Sequence, residues 1–83
     1  MHRTTRRFWN CYAHLPEAVQ RVARQNFELL KQNPAHPSLH FKKVGKFWSV
    51  RAGMGHRALA VEDGPDFVWV WIGTHAEYNR LTK

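Results

Sequence analysis

Apolar residues recur along this chain with two different periods, and the change of period divides it into a helical first half and a stranded second half. Phe8, Cys11, Tyr12 and Leu15 fall at helical spacing behind two N-cap residue types, Thr4 and Thr5. A short helix is expected over Thr5–His14. A strand is the competing reading, because Phe, Trp, Cys and Tyr also suit one, and residues 1–4 are candidates for a short edge strand. Leu15-Pro16 breaks the pattern. Val19, Val22, Ala23, Asn26, Phe27 and Leu30 then repeat every 3.6 residues, with Arg21, Arg24, Gln25, Glu28 and Lys31 on the other face. Proline at the first turn, Glu17 beside it and Lys31 near the end fit an amphipathic helix over Pro16–Gln32. Asn33-Pro34 stops it, since the residue before proline leaves the helical region. The two helices should form a hairpin bent at Leu15-Pro16.

After the connection Asn33–Ser38 the period becomes two. Alternation predicts strands over Leu39–Val44, Phe47–Ala52 and His56–Glu62, separated by Gly45-Lys46 and by Gly53-Met54-Gly55. Asp63-Gly64-Pro65-Asp66 reads as a tight turn. Phe67–Ile72 is then a run of six apolar residues, rich in β-branched and aromatic types, as expected of a strand covered on both faces in the middle of a sheet. Short turns between consecutive strands predict an antiparallel meander of four, with the helical hairpin on one face. Ala76–Leu81 should form one or two helical turns. The expected fold is α+β: a helical hairpin packed on a four-stranded antiparallel sheet, with a short C-terminal helix.

A chain of 83 residues is read as a single domain over 1–83, and 43% hydrophobic with 13% aromatic residues is ample for a small core. Thirteen Lys and Arg against 6 Asp and Glu leave a formal charge of +7. Such a surplus points to a polyanionic partner, nucleic acid or an acidic protein, with a merely soluble basic protein as the plain alternative. One cysteine, Cys11, makes an internal disulfide impossible. No apolar run approaches the ~20 residues that span a bilayer, and the basic N-terminus lacks the apolar segment of a secretory signal. The expected location is the cytoplasm, with no membrane partner.

Candidate chemistry centres on His75, at the end of the most apolar strand. An imidazole where a rigid strand gives way to a loop suits catalysis, and capping the strand end or the next helix suits it equally. Alternation puts Phe47, Ser49 and Arg51 on a sheet face away from the helices, and His56, Ala58 and Ala60 on the same face of the next strand. Small residues at the centre with Arg and His at the margin would form a shallow cationic groove for an RNA backbone. The same alternation points Arg57 toward the helices with Leu59, unless a bulge at Gly55 turns it over. Lys42, Lys43 and Lys46 read as phosphate-steering residues or, more simply, as a solvated edge. The cysteine and histidines show no zinc-site spacing, so no metal and no cofactor are expected.

The order helix, Leu-Pro, helix, Asn-Pro, then Phe-Trp-Ser-Val-Arg-Ala-Gly-Met-Gly-His-Arg-Ala-Leu-Ala-Val and Val-Trp-Ile-Gly-Thr-His-Ala-Glu-Tyr, resembles the RelE/ParE toxins of bacterial type II toxin–antitoxin systems. The likeness runs from about Thr5 to Leu81, and Gly-His-Arg at 55–57 and Ile-Gly-Thr-His at 72–75 are its most specific parts. It implies a toxin restrained by a cognate antitoxin, an acidic segment wrapping its surface. RelE-like members cleave mRNA on the ribosome by attack of the 2′-hydroxyl on the adjacent phosphate. By position, the resemblance makes Arg57 a phosphate-stabilising residue and His75 a general acid. Arg51 lies near a basic residue with base or phosphate roles, and Tyr78 is a candidate hydroxyl beside them. The chain departs from RelE in carrying Ser49, Val50 and Arg51 where RelE has several lysines. It also lacks a carboxylate at the place some relatives use as base. ParE-like relatives share the fold without ribonuclease residues and act on DNA gyrase; that target, or a non-toxic nucleic-acid-binding module, is the alternative to an mRNA endoribonuclease.

Overall fold

The computed structural model describes residues 1–82; Lys83, the last residue of the expected domain, lies outside them. A strand β1 (His2–Thr4) leads into helices α1 (Arg6–Ala13) and α2 (Glu17–Gln32). A 3-10 turn (Pro37–Leu39) precedes strands β2 (Lys42–Val44), β3 (Phe47–Arg51), β4 (His56–Asp63) and β5 (Asp66–Thr74), and helix α3 (His75–Leu81) closes the chain. The two long helices and the last three strands fall where the periodicities put them.

The sheet has five strands in the order β1-β5-β4-β3-β2, and it is mixed rather than antiparallel throughout, because β1 pairs parallel with β5. Three residues are too few to carry a periodic signal. Contacts distant in sequence hold β1 instead. Arg3 pairs with Asp63 and Asp66, the terminal ammonium lies 3.4 Å from Asp66, and Trp69 Nε1 donates to His2 Nδ1 at 3.0 Å. With β1 on one side and β4 on the other, β5 is an interior strand, as its apolar run requires.

The expected strand over Leu39–Val44 is shorter than the alternation suggested. Leu39 belongs to the 3-10 turn and is fully buried, and His40 takes a left-handed conformation with φ 47° before the strand begins at Lys42. Burial of Leu39 outweighs the local pattern here.

The hairpin packs on one sheet face. Thr5 caps α1 by accepting from the Phe8 N–H at 3.2 Å. The bend is locked between Tyr12 and Gln20, whose side chains each bond the other's carbonyl. Ala23 and Leu30 join Val50, Ala52, Ala58, Ala60, Trp69 and Ile72 in the main core, with Phe8, Tyr12, Leu15 and Phe27 against it. Ala58 and Ala60 therefore face the helices, not the open side expected for them. The correction comes from the β3–β4 register, in which Ser49 opposes Leu59 and Arg51 opposes Arg57. Directly opposed residues share a face, so the odd positions of both strands lie together, and one residue of turn length sets this. Ala60 sits between Trp48 and Trp69 on the neighbouring strands, where only a small side chain leaves room for two indoles.

A register shift between Leu59 and Ala60 makes Val70 an extra residue in β5. Trp69 thus enters the helix-side core while Trp71, two residues on, joins Leu59 and Tyr78 in a second core on the opposite face. Tyr78 belongs to α3, so that face is partly roofed.

Candidate active site

The opposite face ends in a small polar cavity of about 250 Å³ lined by His40, Arg51, Gly53, Gly55, His56, Arg57 and His75. It forms where β3 turns into β4 and β5 passes into α3. The turn needs its glycines: Gly53 and Gly55 have φ 130° and 78°, a region L side chains rarely adopt. The chain doubles back through Ala52 N–H to His56 O (3.1 Å) and His56 N–H to Gly53 O (3.2 Å). The His75 N–H donates to the Gly55 carbonyl at 2.8 Å, so the start of α3 is tied to the same turn.

Thr74 and Glu77 form a capping box around His75. Thr74 Oγ1 accepts from the Glu77 N–H at 3.2 Å, and Glu77 Oε1 lies 3.3 Å from the Thr74 nitrogen. These bonds from the Thr74 backbone and hydroxyl hold the Glu77 carboxyl below its ordinary titration range, with smaller help from Arg80 and His56. Burial acts in the opposite sense.

Arg57 reaches the cavity without a bulge, since the register already puts it on this face. Its Nη1 donates to Ser49 Oγ at 3.2 Å, and its guanidinium lies 5.1 Å from the centre of the Tyr78 ring. Ser49 is completely buried, and this contact satisfies its hydroxyl. Arg51 stands opposite Arg57, and its carbonyl accepts from Asn26 Nδ2 at 3.0 Å, which fixes the end of β3 against α2. Among the described residues neither arginine makes an ion pair. His56 Nδ1 lies 3.3 Å from the Met54 carbonyl; His75 Nδ1 lies 3.3 Å from Asn79 Nδ2.

Four of the expected residues, Arg51, His56, Arg57 and His75, thus line one cavity. Tyr78 does not line it. Only 7% exposed, it lies beneath Arg57 and 5.5 Å from the His75 ring, supporting both. Lys42, Lys43 and Lys46 lie outside the cavity lining; Lys43 pairs with Glu62 at 3.7 Å and Lys46 lies over Phe47. His40 is the lining residue the sequence did not single out. Its left-handed backbone is a conformation in which histidine is enriched, but no local pattern announces it. No group of three His, Cys, Asp or Glu among the described residues is placed to hold a metal ion, and no described helix is long and apolar enough to cross a membrane.

Two arginines without counter-ions can take a phosphate-like oxyanion, and imidazoles at its margin can move protons. The arrangement is that of an α+β protein with a cationic, histidine-bearing cleft at one end of its sheet. Its fold is that of RelE-type toxins. A chain of the RelB–RelE antitoxin–toxin complex from Methanococcus jannaschii superposes with a TM-score of 0.74 at 12% identity, covering 98% of this chain and 99% of that one. A copper-bound mutant toxin from Helicobacter pylori superposes with a TM-score of 0.59 at 14% identity, covering 92% and 94%. No protein-family model and no curated protein sequence matches the chain. At such identities the likeness is one of fold.

Proposed function

We propose that this chain is the toxin of a toxin–antitoxin pair and that it cleaves mRNA on the ribosome. The observation that carries the reading is the cross-strand pair Arg51–Arg57, without ion-pair partners among the described residues, lining one cavity with His56 and His75. Arg57 and Arg51 hold the scissile phosphate and the charge that grows on it, and His75 protonates the leaving 5′ oxygen. Lys42, Lys43 and Lys46, on the exposed edge beyond the cleft, steer the RNA backbone toward it. The whole-chain fold likeness to a chain of a RelB–RelE complex supports an antitoxin as partner. A net charge of +7 favours an acidic segment, one that folds as it binds.

The test is induced expression of the wild type and His75→Ala in a bacterial host, with pulse labelling of protein and DNA synthesis. Protein synthesis stops first in the wild type and continues in the variant. DNA synthesis stopping first, regardless of His75, would instead mark a gyrase-directed toxin. Growth without arrest in either strain would leave only nucleic-acid binding.

A further inference from the structure

We propose that His56 is the general base of the cleavage reaction, working as a pair with His75; this rests on the ribonuclease reading above. Attack by a 2′-hydroxyl requires a group that takes its proton. Of the side chains lining the cavity, the two arginines cannot serve, because a guanidinium does not give up its own proton in a protein. Among the described residues no carboxylate lines the cavity. The base is therefore one of three imidazoles.

The hydrogen bonds behind two of those rings have opposite polarity. A carbonyl only accepts, so the Met54 oxygen at 3.3 Å puts the hydrogen of neutral His56 on Nδ1 and leaves Nε2 with a free lone pair. At His75 the Asn79 amide nitrogen meets Nδ1 at 3.3 Å, and with the amide so oriented the hydrogen of the neutral ring sits on Nε2. One ring thus offers an acceptor nitrogen and the other a donor. When His75 carries its second proton, the same amide presents its oxygen to Nδ1–H, and Nε2–H remains the donor. The exposed His40 ring has no hydrogen bond that selects a tautomer among the described residues.

The backbone brings the two residues to the same end of the sheet, where both line the cavity. Thr74 is the direct cross-strand partner of His56, and His75 follows it with its N–H on the Gly55 carbonyl. In the reaction, His56 Nε2 takes the 2′-hydroxyl proton while the 2′ oxygen forms a bond to phosphorus. The bond from phosphorus to the 5′ oxygen breaks, and that oxygen receives the proton of His75 Nε2. The products are a 2′,3′-cyclic phosphate and a 5′-hydroxyl, with one proton moved from one ring to the other and no water consumed. The charged and titratable groups facing His56 are His40 before β2, Arg51 on β3, Arg57 on β4, and His75 and Glu77 on α3.

The experiment is single-turnover cleavage of mRNA on programmed ribosomes, with ordinary RNA and with RNA carrying a 5′-phosphorothiolate at the cleaved bond. Sulfur departs without a proton, so this substrate needs the base and not the acid. His56→Gln should lower the rate about 10²–10⁴-fold on both substrates. His75→Gln should do so on ordinary RNA only, and His40→Gln tests whether the third imidazole of the cavity carries the role instead. The pH–rate curve should lose its acidic limb in His56→Gln and its alkaline limb in His75→Gln, a readout that a general loss of folded protein does not produce. Wild-type rates in His56→Gln beside an impaired His75→Gln would overturn the base assignment and leave the ribonuclease reading intact. Transfer of the loss to His40→Gln would do the same. Absence of cleavage by the wild type would overturn both.

Discussion

Arg51 and Arg57 stand directly opposite each other on adjacent strands, each without a carboxylate in ion-pair distance among the described residues. Like charges in direct register destabilise a sheet by roughly 0.2–1 kcal/mol. Arg57 is eased by Ser49 and Tyr78, yet the pair has no carboxylate partner among the described residues. Neutralising one member should therefore help stability and harm function. Arg51→Gln is expected to keep or slightly raise the melting temperature while cutting RNA cleavage by more than about tenfold, in line with the loss of one charge-assisted contact. Added inorganic phosphate should raise the melting temperature of the wild type more than that of Arg51→Gln. Equal shifts in both would count against an anion site there.

The N-terminal strand should loosen in mild acid. Burial, then the terminal ammonium and Lys31, push the His2 imidazole below its ordinary value of 6.5. Protonation also removes the lone pair that accepts the Trp69 indole N–H. The unfolded chain takes up this proton before the folded one does, so the stabilising contribution is complete above about pH 6.5 and fades as pH falls through the lower folded value. Urea denaturation between pH 7.5 and 5 should show a steeper loss in the wild type than in His2→Gln.

Gly73 has no room for a side chain. A Cβ there would lie 2.5 Å from Cζ2 of Trp71, whose indole is packed with Leu59 and Tyr78. Gly73→Ala must move that ring, at a cost of about 1–3 kcal/mol. In a domain of this size each kcal/mol corresponds to roughly 4–8 °C in melting temperature, which calorimetry would resolve. An unchanged melting temperature would mean that the indole adjusts freely.

Thr74 holds His75 at the first position of α3 through the capping box. Thr74→Ala should cost about 1 kcal/mol, the usual loss for an N-cap. Cleavage should fall further than stability predicts, because the start of α3 also positions His75, the acid proposed above. Thr74→Ser keeps the hydroxyl and should restore both, as melting and single-turnover rates would show.

The helices were legible because each spans enough turns for a 3.6-residue stripe to repeat between clear stop signals, Pro16 at the bend and Asn33-Pro34 at the end. The apolar run through β5 likewise announced an interior strand. What failed did so for physical reasons. Residues 1–4 read as a candidate edge strand and β1 lies among them, but three residues are too few to announce its parallel pairing with β5, which rests on partners sixty or more residues away, such as Asp63 and Asp66. Leu39 is drawn into a buried turn, and His40 is left in a backbone conformation that no neighbour in sequence dictates.

Of the site, the sequence by itself determined the residue types and their order: Arg51 before a glycine turn, His56 and Arg57 after it, His75 beyond the last strand. Local chemistry is enough for that, since glycine marks the turn and the apolar run marks the strand. Only the tertiary structure decided which of them meet. Side chains alternate with a period of two, so a single residue of register moves a whole strand from one face to the other. That register, set by the Gly53-Met54-Gly55 turn, brought Arg57 beside Arg51 and sent Ala58 and Ala60 to the helices. The extra residue Val70 then divided Trp69 and Trp71 between the two cores.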